Sequence, residues 1–371
     1  MTVENLVSER YAEGAKAKQE ALCCPVDYDT SLLKLLPQEI IDRDYGCGDP
    51  SRYVREGDTV LDLGSGGGKI CYMAAQLVGD DGFVIGVDMT DDMLALARSY
   101  QEEMARTLGN DRVSFRKGFI QDLALDVDAM NGYLTEQPVT DVDSMLALEN
   151  WKAQQRQSKP LVADNSVDLV VSNCVLNLVA QKDRTQMLQE IFRVLKPGGR
   201  VAISDIVSDE FVPEHLQADA ELWSGCISGA FQEQEFIQAF LDAGFVGVSY
   251  DKWEAEPWQV VEGIEFRSVT LTAVKPSRDD LYDAGQALVY RGPFQQVQDD
   301  LGNSYVRGER TAVSKRTFDL LTSQDFGDAF IGIEPAEEQN LGCFCKPAGT
   351  LRSASETKGG VHKGDTGGGC C

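Results

Sequence analysis

Ten cysteines and only two histidines, His215 and His362, set the chemistry open to this 371-residue chain. Six of the cysteines come as near neighbours: Cys23-Cys24, Cys343-Phe344-Cys345 and Cys370-Cys371. The other four, Cys47, Cys71, Cys174 and Cys226, stand in separate segments. Taken singly, a free cysteine is most often a small buried hydrophobe. Taken together, thiols can hold soft, thiophilic atoms or pair and exchange as disulfides. With so little imidazole, reactions that need a histidine base have few candidates.

A second reactive pattern runs from Val60 to Cys71, VLDLGSGGGKIC. It reads as a buried strand, a glycine-rich turn and the first turn of a helix, with Asp62 just ahead of Gly64, Gly66 and Gly68. Missing Cβ atoms let backbone amides approach a ligand there. A dinucleotide fingerprint would need glycine where Lys69 stands, and Asp62 would repel a pyrophosphate. An acid at that point suits a ligand carrying an amino group and a sulfonium. Asp88 ends the following strand, where a carboxylate can accept both ribose hydroxyls. The pattern resembles motif I, D-x-G-x-G-x-G, of class I S-adenosylmethionine (SAM) methyltransferases. The candidate cofactor-binding residues are Asp62, Gly64, Ser65, Gly66, Asp88, Met89, Phe119, Ile120 and Asn173, with Phe119 and Ile120 where the base of the nucleoside would be gripped.

The elements that must position these groups alternate strand and helix. Strands are expected at 59–63, 83–87, 113–117, 167–172 and 200–206, and helices at 67–78, 91–108 and 183–195. Val167–Ser172 is the near-continuous apolar run of a central parallel strand. Lys196-Pro197-Gly198-Gly199 is a strong helix stop. A helix over 232–243 and a hairpin of strands 246–253 and 265–274 complete a seven-stranded sheet of the class I type. The fold expected is therefore α/β and Rossmann-like. A lead-in occupies 1–58, the SAM-binding core 59–206 and the rest of the methyltransferase sheet 207–275. Within the core, 125–162 reads as a helical insertion, a lid or an outer decoration, because a structureless loop of that length would be unusual. Residues 276–334 read as a small α+β appendage. From 335 a Gly-, Ser- and Lys-rich composition predicts a flexible tail carrying the last cysteines.

A net charge of −26 argues against nucleic acid and against anionic membranes. No apolar run approaches the length of a membrane span, and MTVENLVSER lacks the signature of a signal peptide. A cytoplasmic setting is expected, in which the cysteines are mostly thiols.

In open α/β sheets ligands collect beyond the carboxyl ends of the strands. Cys71 and Cys174 lie next to that edge in sequence, Cys47 belongs to the lead-in, and Cys226 follows the fifth strand. Their local motifs are Tyr45-Gly46-Cys47-Gly48, Asp62 to Cys71-Tyr72, Ser172-Asn173-Cys174-Val175-Leu176-Asn177-Leu178 and Ser224-Gly225-Cys226-Ile227-Ser228-Gly229-Ala230, alongside Gly86-Val87-Asp88-Met89-Thr90. From about Cys47 to Lys275 the chain resembles the arsenite methyltransferases, which methylate trivalent arsenic with SAM. The resemblance implies Cys174 and Cys226 as core arsenic ligands and Cys71 as the third. It implies Cys47 as the partner of Cys71 in a redox-active disulfide, reduced by thioredoxin or glutathione. Thiolates suit soft trivalent arsenic, and its lone pair needs no general base to attack a methyl group. Cys71, near a helix N-terminus, is expected to have a lowered pKa. Two other readings stand beside this one: a SAM methyltransferase of a small organic acceptor with structural or redox cysteines, and a thiol-rich binding protein on a degenerate SAM fold. The remaining cysteines could capture arsenite, bind zinc or be simple exposed thiols.

Overall fold

The computed structural model describes residues 10–14, 26, 28–43, 45–219, 222–223, 225–277, 282–323, 326, 328–335 and 339–357. Cys23, Cys24, Cys370 and Cys371, and the tail expectation beyond 357, lie outside the described residues. The chain forms two compact units, Met1–Lys275 and Pro276–Cys371.

The first unit is built on strands β1 (Thr59–Leu63), β2 (Phe83–Asp88), β3 (Val113–Lys117), β4 (Val167–Asn173), β5 (Leu195–Ser208), β6 (Val246–Trp253) and β7 (Ile264–Val274). Their order across the sheet is β3-β2-β1-β4-β5-β7-β6, with two short strands, Phe231–Gln232 and Gln259–Val261, added at β5 and β7. β1 to β5 run parallel, while β7 is antiparallel to both β5 and β6. This is the class I methyltransferase sheet. Its order reverses at β1 and β4, so a crevice opens beyond their carboxyl ends. Residues from Val60 to Leu63 and from Leu169 to Ser172 are buried, as a strand covered on both faces requires.

Helices α1 (Lys69–Leu77), α2 (Asp91–Ser99), α3 (Gln101–Leu108), α4 (Val127–Glu136), α5 (Val142–Ser158), α6 (Arg184–Val194) and α7 (Glu233–Asp242) connect the strands. The periodic stretch 91–108 is two helices, divided at Tyr100, whose hydroxyl donates to Glu39. The insertion is a helical hairpin of α4 and α5, with Tyr133 stacked on Trp151 at 4.8 Å between ring centroids. Asp141 and Ser144 cap α5 reciprocally. Arg156 ties it to the loop after β3 through a bidentate pair with Asp122. No residue of α5 is buried, whereas α4 is anchored by Val127. None of the described helices is long and apolar enough to cross a membrane.

The second unit carries β8 (Ala287–Tyr290), β9 (Gln296–Gln298), β10 (Ser304–Val306), β11 (Arg310–Ala312), α8 (Lys315–Leu321) and β12 (Phe330–Ile333). β8 lies between β11 and β12, and β9 and β10 form a hairpin. Leu288, Tyr290, Tyr305, Val313, Phe318 and Leu321 make its core. Beside it lies a buried ion pair, Arg352 to Asp283 at 2.6 Å, with Lys346 at 3.2 Å from the same carboxylate. Burial alone would raise the Asp283 carboxyl, but hydrogen bonds from Arg352, Gly285 and Lys346 hold it below its ordinary value. A group depressed in this way stabilises the fold above its unfolded pKa of about 4 and loses that contribution as pH falls through the lowered folded value. Arg352→Ala removes the nearer of two cationic partners and leaves the buried carboxylate to Lys346 and the Gly285 amide, which costs about 3 kcal/mol, the low end for a broken buried pair. Denaturant unfolding followed in the second unit should show that loss, and a change under about 1 kcal/mol would contradict the assignment.

Candidate active site

The site has two halves that meet at the carboxyl ends of β1 and β4. The first is a cleft of about 970 Å³ lined by the glycine turn, the end of β2, the loop after β3 and the loop after β4. Asp62, Gly64, Ser65, Gly66, Asp88, Met89, Ile120 and Asn173 all line it. Phe119 does not; it forms an isolated bridge with Asp122 instead. Tyr11, Tyr45, Thr90, Met93, Gln121 and Val175 also line the cleft, although none was among the cofactor-binding candidates. Met93 begins the apolar face of α2, and Thr90 sits in the G-V-D-M-T run, so both had a local signal.

Asp88 is fixed by amides: Gly66 N–H donates at 2.9 Å and Thr90 N–H at 2.8 Å. Burial raises its carboxyl, and these two bonds oppose the rise. Lys69, which breaks the dinucleotide pattern, lies over the Tyr28 ring at 3.3 Å. Does the cleft fit a nucleoside sulfonium? Gly66 has φ +49°, and a Cβ built there meets nothing nearer than Met93 Sδ at 4.0 Å, so the missing side chain leaves room for a ligand. Ser65 lines the cleft through its backbone, its Oγ being buried beneath the turn on the side of Gly86 and Cys71. Acids at Asp62 and Asp88 complement an amino group and a ribose. The residues fit SAM.

The second half is a cluster of sulfurs. Cys47, Cys174 and Cys226 pack in one buried group with Ile206, Ile227 and Phe266. Cys47 and Cys174 are joined as a disulfide. The sulfurs of Cys174 and Cys226 and a carboxylate oxygen of Asp205 all lie within 4.8 Å of one another. Cys226 Sγ–H donates to Cys174 O at 3.2 Å. Both Cys174 (φ +59°) and Cys226 (φ +63°) hold left-handed backbone conformations, which cost a non-glycine residue about 1–3 kcal/mol and cluster at functional sites.

Several side chains hold this geometry. Asn173 Oδ1 accepts from Cys47 N–H at 2.8 Å and Gly48 N–H at 3.0 Å, and its Nδ2 donates to Gly48 O at 2.8 Å. The approach is so close that a Cβ at Gly46 would collide with the Asn173 amide, and one at Gly48 with Ser204. That is why glycines flank Cys47. Ser268 Oγ–H binds Cys47 O at 2.6 Å. On the other side Asn177 Nδ2 donates to Asp205 Oδ1 at 2.8 Å and to Ile206 O at 2.6 Å. Arg184 donates to Asn177 O and Gly229 O, tying the Cys226 segment to the loop after β4. Burial pushes the Asp205 carboxyl up to about 7, against the amides of Ile206 and Asn177 that lower it. Tyr11, from the lead-in helix, lines the cleft and bonds the Cys226 side chain. Burial first, then the charges of Cys226 and Asp205, raise its hydroxyl pKa.

Cys71 departs from expectation in three respects. Its sulfur is not in the cluster; it packs with Tyr72, Val84 and Phe115 in a separate core. It is a thiol, and the partner of Cys47 is Cys174. Its pKa is raised well above the ordinary value, not lowered: burial comes first, then the Asp62 carboxylate, to which it donates at 3.2 Å. The reason is helix phase. Ile70 faces the cleft, and about 100° further round α1 the next side chain turns under the glycine loop toward Asp62. Asp205, Asn177, Arg184 and Tyr11 were not singled out from sequence. Only Asp205, an acid inside the apolar run of β5, had a readable signal.

Two outcomes follow. In the reduced, folded protein at neutral pH, Cys71 should resist iodoacetamide until the chain is unfolded; alkylation at the rate of an exposed thiol would contradict its burial and raised pKa. Asn173→Ala removes bonds worth about 1 kcal/mol each. After reduction, Cys47 in that variant should alkylate faster than in wild type, and an unchanged rate would show that other contacts hold the loop.

A family model described as a methyltransferase domain matches residues 55–147 and 143–244, and one described as a domain of unknown function matches 277–362. The chain is 32% identical to an arsenite methyltransferase of Aquipseudomonas alcaligenes over 78% of its own length and 77% of the relative's. It is 28% identical to the human arsenite methyltransferase over 83% of this chain and 75% of that one. The crystal structure of an arsenic(III) S-adenosylmethionine methyltransferase from Chlamydomonas reinhardtii superposes with a TM-score of 0.57 at 28% identity, covering 88% of this chain and all of that one. With the class I sheet, the glycine turn and the cysteine motifs in place, the chain belongs to the arsenite methyltransferase family.

Proposed function

We propose that this enzyme methylates trivalent arsenic held by the sulfurs of Cys47, Cys174 and Cys226. The observation that carries the reading is the meeting of these three residues at the wall of the cofactor cleft, which Cys174 itself lines. Arsenite exchanges its ligands for thiolates because both partners are soft. Three sulfurs leave the arsenic lone pair as the exposed nucleophile. When bound, SAM supplies an electrophilic methyl group on a sulfonium, and Asp62, Ser65, Gly66 and Asp88 would hold it.

The protein's contribution is mainly positioning and exclusion of water, effects worth several orders of magnitude. Asn173 holds the Cys47 loop on β4, and Arg184 and Asn177 hold the Cys226 segment. Donation of the lone pair takes arsenic from trivalent to pentavalent, so two electrons must return before another turnover. Cys47 and Cys174 are joined as a disulfide in this structure, which supports them as the pair that supplies those electrons. In that step two arsenic–sulfur bonds break, one sulfur–sulfur bond forms, arsenic keeps an electron pair, and an incoming thiolate takes a vacated position. A dithiol protein of the thioredoxin class, or glutathione, then reduces the disulfide by exchange. The reducing cytoplasm suits such a cycle. Cys71 serves Asp62 in this scheme and does not touch arsenic.

Reduced protein given arsenite, SAM and a thiol should yield methylated arsenic. Cys174→Ser and Cys226→Ser should each lower the rate by about a hundredfold or more, the cost of a misplaced nucleophile. Cys47→Ser should stall turnover after the first transfer, while Cys71→Ser keeps most activity. Full activity in Cys174→Ser, or loss in Cys71→Ser matching that in Cys226→Ser, would overturn the ligand set.

A further inference from the structure

The second unit carries a pair of thiols that the reaction does not use. Cys343 and Cys345 are both exposed, and Cys345 Sγ–H donates to Cys343 Sγ at 3.2 Å. The backbone around them is anchored. Cys343 pairs with Tyr282 in an antiparallel bridge. Asp283 N–H donates to Gly342 O at 2.8 Å, and Leu341 N–H to Asp283 O at 2.9 Å. Asp283 is in turn locked by Arg352 and by Lys346, the residue after Cys345. The sulfurs therefore sit on a braced segment, close enough for one atom to bridge both.

What could that atom be? A structural zinc takes four donors at the corners of a tetrahedron. Among the described residues, the only cluster of three or more histidine, cysteine or carboxylate groups is Cys174, Asp205 and Cys226. Two sulfurs with no third donor among the described residues do not make a zinc site. They match a thiophilic centre with two exchangeable positions. Trivalent arsenic bearing one carbon substituent is such a centre. Arsenite has three exchangeable positions and a dimethylated arsenical has one.

We propose that Cys343 and Cys345 form a second arsenical site, a surface dithiol that chelates monosubstituted trivalent arsenic. The ligand class rests on the proposed reaction, whose first transfer and reduction generate such a species. Binding is ligand exchange. Two cysteine–hydrogen bonds and two arsenic–thiol bonds break, two arsenic–cysteine bonds form, and two small thiols leave with the protons. Arsenic stays trivalent and nothing is oxidised.

The probe is phenylarsine oxide, a monosubstituted trivalent arsenical, added to the reduced full-length chain in excess over all its thiol pairs. Tryptic cleavage after Arg316 and Arg352, the Lys346–Pro347 bond being resistant, releases a peptide whose only cysteines are Cys343 and Cys345. That peptide should carry one phenylarsenic group with both thiols blocked. Cys343→Ser and Cys345→Ser should each weaken capture by about 10²–10⁴-fold, the effective-concentration advantage of a second linked thiol. Both variants should methylate arsenite at the wild-type initial rate. An unmodified peptide, or an adduct that survives either substitution, overturns the proposal, as does full protection of the pair by equimolar Zn²⁺. The two readings fail separately. Methylation without the adduct sinks the second site alone, and an adduct without methylation sinks the reaction and leaves only a dithiol.

Discussion

The side-chain amide of Asn173 is the contact on which the rest of the site depends. Its oxygen accepts two amides of the Cys47 loop, and its nitrogen donates back to the same loop. Asn173 is also the last residue of β4 and a wall of the cofactor cleft. One residue thus joins the lead-in, the central sheet and the cleft. Together with Ser268, that clamp sets the register of a loop more than a hundred residues away in sequence against Cys174. The flanking glycines and the left-handed backbone at Cys174 and Cys226 answer the same demand. Sulfurs must converge in a space that ordinary backbone and ordinary side chains would fill.

A division of labour follows from the sheet. Strand order reverses between β1 and β4, and the cleft and the Cys174–Cys226 cluster sit beyond that point. The β1–β2 side supplies glycines and carboxylates for a polar, cationic cofactor. The β4–β5 side carries thiols in an apolar surround, the environment proposed above for a soft acceptor. Cys71 belongs to the first side although it is a cysteine. It caps the Asp62 carboxylate from behind, where burial and neighbouring acids keep it protonated. A thiol there acts as a hydrogen-bond donor and not as a nucleophile.

This boundary also marks what the sequence could disclose. The glycine turn, Asp62 and Asp88 were legible because strand, turn and helix fix their geometry locally. The seven strands followed from alternation and from the Lys196-Pro197-Gly198-Gly199 stop, and their order came only with the structure. That Cys174 and Cys226 belong together was what the family resemblance implied, and the structure brings their sulfurs within 4.8 Å. The third sulfur was not. Proximity in sequence to a strand end placed Cys71 near the edge, but one residue of helix phase decides between cleft and core. The partner of Cys47 depended on Asn173, Ser204 and Ser268, contacts between distant segments that no local pattern encodes. The same limit hid Arg184 and Asn177, whose side chains act only once three loops have met. In α2 and α3 the apolar period continued through a break that tertiary contacts at Tyr100 accompany.

The central claim is that Cys47, Cys174 and Cys226 together hold arsenic beside the cofactor cleft. X-ray absorption at the arsenic edge, on reduced protein loaded with arsenite and without added thiol, examines the ligand shell directly. This account predicts three sulfur neighbours and no oxygen, falling to two sulfurs in Cys47→Ser and unchanged in Cys71→Ser. A three-sulfur shell that survives Cys47→Ser and is lost in Cys71→Ser would contradict it.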